Sequence, residues 1–326
     1  VLSLIHAVAG RPWAIRAEIA LHVRGLIARE GITGLRHLAE LKKDIHAFDE
    51  DARSPRAAGR GAAGSVGTVA VVQAIGSLTQ RVQEIRSAYT RSTASVAAEV
   101  RAAAVEPNVD GIVLEIDSPG GEVFGVPEAW ASIRESGRMK PIVAHANSIA
   151  ASAALYLASA ANEFWITPSG EAGSVGVYAL HIDMSKALEQ MGETWDFIVA
   201  SKSPFKIEGN PSAPLGDEAR AHLQQDIDRY MSMFIRDLAK GRGVSEKVVE
   251  TGFGGGRMLN PSEAVRVGMA DKVGTFEQAI RRAADLGRQA QGGPKAEVIR
   301  SAPAAADPVE VAARAHLAGL PPMKIE

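Results

Sequence analysis

The sequence has no cysteine among its 326 residues. That excludes disulfides, thiolate metal sites and a cysteine nucleophile together. Aromatic residues make up only 5%. Close packing of small and aliphatic side chains is therefore expected, and 32 glycines agree with it. Neither sign of charge dominates, with 36 Lys+Arg against 38 Asp+Glu and a net charge of −2. No basic stretch is interleaved with aromatics, so nucleic acid is not an expected partner. The eight histidines are scattered with no HExxH spacing, and no metal or other cofactor is expected. No apolar run reaches the roughly 18–20 residues of a membrane span. The apolar opening Val1–Gly10 lacks the basic region of a signal peptide. A soluble protein of the cytoplasm is the expectation.

What is present organises into four stretches. Residues 1–48 read as a helical segment. Pro12 suits a first turn, and Trp13, Ile15, Ile19, Val23, Leu26 and Ile27 recur at helical spacing. A second helical stretch carries Leu35, Leu38, Leu41, Ile45 and Phe48. Residues 49–67 are small, charged and Gly-rich, a flexible linker by composition. Residues 68–286 alternate short β-branched runs with helical patterns, which predicts an α/β domain of parallel strands joined by crossover helices. Strands are expected over 68–75, 111–117, 141–145, 163–166, 175–178 and 195–200. Helices are expected over 93–105, 126–136, 150–161, 184–191, 216–241, 245–251, 261–267 and 276–286. Residues 287–326 read as a flexible tail.

Three motifs on this pattern carry chemistry. Asp117-Ser118-Pro119-Gly120-Gly121 ends a buried strand. Its glycines leave main-chain N–H groups uncovered, which suits an oxyanion as well as an ordinary turn. Ser152 stands where a strand meets an alanine-rich helix, a place for a nucleophile or for a simple cap. Ser148 is the better cap candidate there. Lys206 lies between Phe205 and Ile207. An apolar wall disfavours a charged ammonium and makes a lysine a competent base, whereas most loop lysines are merely solvated. The run Gly254–Gly256 reads as a loop.

In this order the motifs resemble the signal-peptide-peptidase-A family of serine peptidases, within the ClpP/crotonase superfamily. The resemblance rests on DGIVLEIDSPGGEVFGVPE, KPIVAHANSIAASAALYLASAANE, TPSGEAGSVGVYALHIDMSKALEQMG and FKIEGNPSAPLGDEAR. Together with GRPWAI near the start, it points to the short phage and prophage branch of prohead-maturation proteases. It implies a ClpP/crotonase-like core, with Ser152 as nucleophile and Lys206 as general base. Ser174 would hold the lysine amine. Gly121 and Ala153 would donate to the oxyanion, and Glu122, Val123 and Phe124 would form the edge that pairs with substrate. It further implies peptide substrates such as portal, scaffold or capsid proteins, a homo-oligomer, and work in the host cytoplasm or inside a procapsid.

The loop reads Ser-Lys-Ser-Pro-Phe-Lys, longer than the family's usual form, so Lys202 remains a second base candidate. Histidine bases stay open too: His181, 29 residues after Ser152, would give a Ser-His peptidase, and His145 is nearer in sequence. Two non-peptidase readings remain. One is a crotonase-type thioester site. The other is a catalytically idle component of the phage head.

Overall fold

The computed structural model describes residues 12–15, 68–80 and 90–292. In chain order the strands and helices are β1 (Pro12–Ile15), β2 (Val69–Ile75), β3 (Ser77–Thr79), β4 (Thr90–Ser92), α1 (Thr93–Val105), β5 (Gly111–Ser118), β6 (Gly120–Glu122), α2 (Val126–Met139), β7 (Ile142–Ala151), α3 (Ala153–Ala158), β8 (Glu163–Ile166), β9 (Glu171–Gly173), β10 (Tyr178–Ala179), α4 (Ser185–Gln190), α5 (Asp217–Arg242), α6 (Glu246–Gly252), β11 (Met258–Leu259), α7 (Pro261–Arg266), β12 (Lys272–Val273) and α8 (Phe276–Ala290).

The central sheet runs β11-β9-β7-β5-β2, with β8 also on β7 and β12 on β8. Its ladders are parallel except for β11 on β9. This is the α/β class expected from the alternating pattern. The run Gly-Ile-Val-Leu-Glu-Ile has no polar face because both faces of β5 are covered. Ile112, Leu114 and Ile116 join Val96, Ile133 and Leu155 in the larger core. Val113 faces the other way, into a smaller core with Trp165, Ala279 and Ala283. Helices α1, α2 and α3 therefore cover one face and α8 the other. Helix α8 lies so close that a Cβ on Gly111 would sit 2.3 Å from the Ala283 carbonyl oxygen.

Caps fix the helix starts. Ser92 Oγ accepts from the Ser95 N–H at the head of α1, and a Thr275–Gln278 capping box opens α8. A second, smaller sheet has the order β10-β1-β6-β3-β4. Strand β6 lies inside it, parallel to β3 through Leu78↔Gly121 and antiparallel to β1 through Ala14↔Gly121.

Several expectations need correction. Pro12–Ile15 is a strand, not the first turn of a helix. Four residues with Trp and Ile fit either period, and pairing on both edges decides the matter. The rest of the expected helix over 12–29, the helical stretch 35–48, the linker 49–67 and most of the expected tail 287–326 lie outside the described residues; the first tail residues, 287–290, continue α8. The expected strand over 195–200 has no ladder and is largely exposed. Strand β7 continues to Ala151, so the expected helix over 150–161 shrinks to Ala153–Ala158. The expected strand over 175–178 gives way to β9 before it and the two-residue β10 at its end.

Candidate active site

Ser152 is set by where β7 stops. Small residues at Ala150 and Ala151 let β7 pair with β9 through Ala150↔Ala172 and Ala151↔Gly173. The next residue must turn the chain into α3. Ser152 does so at φ 54°, ψ −117°, a left-handed backbone that costs a non-glycine residue about 1–3 kcal/mol. Its own backbone groups are satisfied. The N–H donates to Gly173 O at 2.8 Å, and the carbonyl accepts from the Tyr156 N–H at 2.9 Å. The hydroxyl makes no capping bond. It has one long contact, donating to Gly176 O at 3.5 Å. A buried serine, 1% exposed, is thus held in a strained turn with its hydroxyl uncommitted to the helix. Ser148 is no cap either, because it lies within β7.

The Gly-Gly turn belongs to the same corner. Strands β5 and β7 stay paired up to Ser118↔Ala150, after a register shift beyond Ile116. Gly120 and Ser152 each follow that rung by two residues. Gly120 adopts φ 95°, and its N–H donates to Ser118 Oγ at 3.2 Å. Gly121 has no room for a side chain, since an added Cβ would sit 1.8 Å from Leu78 O. Helix α3 packs against β6. Ala153 is its first residue, so the Ala153 N–H has no acceptor within the helix. Beside Ala153 a shallow apolar pocket is lined by Val123, Val126, Tyr156, Val177 and Phe234. Strand β6, Gly120–Glu122, pairs with β1, and of the expected substrate edge Glu122–Phe124 it contains Glu122. Phe124 instead packs its ring edge-on against Tyr230 at 5.9 Å.

Ser174 follows Gly173 as Ser152 follows Ala151, one step past the same rung. It too has positive φ, at 56°. Ser152 and Ser174 are the two non-glycine residues with positive φ among the described residues. Gly173 O receives the Ser152 N–H, and the Ser174 N–H donates to Arg257 O at 2.9 Å.

Lys206 is not where its apolar neighbours suggested. It sits in a short 3-10 turn over Pro204–Ile207 and is exposed. Phe205 is 58% exposed, so no apolar wall surrounds the amine among the described residues. Lys202 is exposed as well. Trp195, Phe197 and Ile198, large apolar residues a few positions before Lys202, are exposed too. His181 is half-buried, with Nε2 3.2 Å from Ala213 O. His145 is fully buried on the α8 side of the sheet, its ring 5.6 Å from that of Phe276. Its Nε2 bonds Gly274 O at 3.0 Å, and Nδ1 has no partner among the described residues. Burial pushes its pKa down. That placement, away from the larger core that holds α3, removes His145 as a base for Ser152.

Sequence comparison bears on the same region. Residues 134–290 match peptidase family S49. That span holds Ser152, Ser174 and Lys206; Gly121 precedes it. Capsid assembly protease C of Escherichia phage lambda is 34% identical over 185 residues, covering 57% of this chain and 41% of that protein. Head-tail preconnector protein GP5 of Enterobacteria phage P21 is 30% identical over 211 residues, covering 64% and 41%. The chain thus spans about two fifths of the length of these phage relatives. Among solved structures, a ClpP1 mutant from Listeria monocytogenes aligns with a TM-score of 0.39 at 16% identity, over 64% of this chain and 94% of that one.

Proposed function

We propose, from the match of residues 134–290 to peptidase family S49, that the chain is a serine endopeptidase with Ser152 as nucleophile. The observation that carries the reading is the Ser152 backbone, strained at φ 54° while its hydroxyl is withheld from capping. Strain of this kind concentrates where a side chain must be presented for chemistry.

In the proposed reaction Ser152 Oγ attacks a peptide carbonyl carbon, and its proton passes to the neutral Nζ of Lys206. The N–H groups of Gly121 and Ala153 donate to the oxyanion. Collapse breaks the C–N bond, and Lys206 returns the proton to the leaving amine. Water then attacks the acyl ester through the same base, which frees the acid and restores the Ser152 hydroxyl. Ser174 orients the lysine amine.

The exposure of Lys206 supports a dyad completed between two copies of this chain. The exposed Trp195, Phe197, Ile198 and Phe205 supply an apolar surface for a second copy to cover. Such a contact also supplies the desolvation a neutral lysine needs. The phage relatives, a capsid assembly protease and a head-tail preconnector protein, support head proteins as substrates, met in the host cytoplasm or a procapsid. No described helix is long and apolar enough to cross a membrane.

The test uses purified Ser152→Ala and Lys206→Ala proteins on an unfolded protein substrate. Each is expected to be inactive alone and the mixture to regain activity. Cleavage by Ser152→Ala protein alone refutes the nucleophile. No recovery in the mixture refutes the shared dyad. Undiminished activity of Lys206→Ala turns the assignment to Lys202 or His181. Mass spectrometry after co-expression with candidate phage head proteins identifies the products.

A further inference from the structure

Strand β6 has two edges, and both are taken. On one side lies β3, through Leu78↔Gly121. On the other lies β1, through Trp13↔Glu122, Ala14↔Gly121 and Ile15↔Gly120. The opposite edge of β1 pairs with β10, through Pro12↔Ala179 and Trp13↔Tyr178. Strands β6 and β10 do not pair with each other; β1 is the single strand between them. Lifting β1 out leaves a slot one strand wide, open to an extended peptide that hydrogen-bonds on both edges. The slot passes Gly121, the proposed oxyanion donor.

An extended substrate has to lie along β6 to put a carbonyl at that donor, and with β1 in place no edge of β6 remains to receive it. We therefore propose that Pro12–Ile15 is a resident occupant of the substrate slot, and that an incoming peptide must displace it. The proposal rests on the peptidase reading, and it adds a competitor built into the chain itself. The resident strand pairs over only four residues, against the seven rungs joining β2 to β5. A ladder this short opens locally at little cost relative to the core. Pro12 stands first in the strand, the position where a missing N–H is best tolerated.

The test measures binding in the full chain carrying Ser152→Ala, so no turnover is involved. The probe is a fluorescein-labelled synthetic peptide of residues 10–17. Ala14 is the middle rung on β6, opposite Gly121, and Ala14→Pro, with its fixed φ and missing N–H, disfavours the strand there and expels the segment. Apparent affinity scales with the fraction of molecules whose slot is free. A slot open in about a tenth of molecules therefore gives about tenfold tighter binding once Ala14→Pro is added. Equal or weaker binding overturns the proposal, because a permanent structural strand would be lost together with the site. Hydrogen exchange gives a second readout. The amides of Gly121, Glu122, Tyr178 and Ala179 should exchange faster in the Ala14→Pro chain and slow again when the peptide is added. Unchanged exchange overturns the proposal as well. Failure of the peptidase reading is a separate result: no hydrolysis by the Ser152 chain, with or without Ala14→Pro.

Discussion

Gly121→Ala is the sharpest single test of the proposed oxyanion site. The added Cβ would sit 1.8 Å from Leu78 O and 2.5 Å from Leu78 C. Both are backbone atoms of the paired strand β3, so neither can rotate away. Strand β6 would have to retreat by about 1 Å to reach even the closest separation real Cβ atoms show, and a shift of that size at a reacting centre costs about a hundredfold in rate. Losing the donor altogether costs about a hundred- to a thousandfold in kcat. Overpacking one strand of the smaller sheet should cost about 1–3 kcal/mol of stability, which leaves a domain with this core folded. Hydrolysis of a quenched fluorescent peptide and thermal denaturation, run on the same preparations, separate the two effects. Gly216→Ala is the control, since a Cβ there meets nothing within 4 Å. A folded Gly121→Ala protein with kcat close to that of the parent would refute the geometric argument.

Two further outcomes follow from the site and the sheet behind it. Ser152→Gly and Ser152→Ala should both be inactive, but the glycine variant should be the more stable by about 1 kcal/mol in denaturant titration, because only alanine retains the left-handed strain; the reverse order would remove the strain from the account. His145 is held neutral by burial, its folded pKa below the ordinary 6.5. Its contribution is fully present above about pH 6.5 and lost as pH falls, because the unfolded chain then binds a proton that the fold refuses. His145→Gln should flatten that acid limb of the melting-temperature profile, and an unchanged limb would assign it to other groups.

Much of the frame was legible from local pattern. The helix Thr93–Val105 and the strand Glu163–Ile166 have the expected bounds; Val96, Ala97, Val100 and Ala104 are buried at helical spacing, and Phe164, Trp165 and Ile166 are buried in succession. Partnership decided the rest, and partnership is not local. Ala150 and Ala151 read as the start of an alanine helix, yet they extend β7 because β9 offers a ladder. Trp195–Ala200 reads as a strand, yet no edge receives it. The nucleophile candidate was visible as a serine between a strand and a helix, but not its positive φ, which is set by the rung just before it. Lys206 illustrates a different gap: flanking apolar residues suggest burial, yet Phe205 and Ile207 are themselves exposed and leave the lysine on the surface.

The rung Ala151↔Gly173 has one more consequence. Both strained serines spring from it, and its far side is clipped by the segment after the Gly254–Gly256 turn, through Met258↔Gly173 and the Arg257 carbonyl. What reads as loop filler in the sequence is therefore a brace for two side chains at once. Loosening it at a distance should slacken both together, so that damage to the brace disables the centre as a unit instead of weakening one hydroxyl.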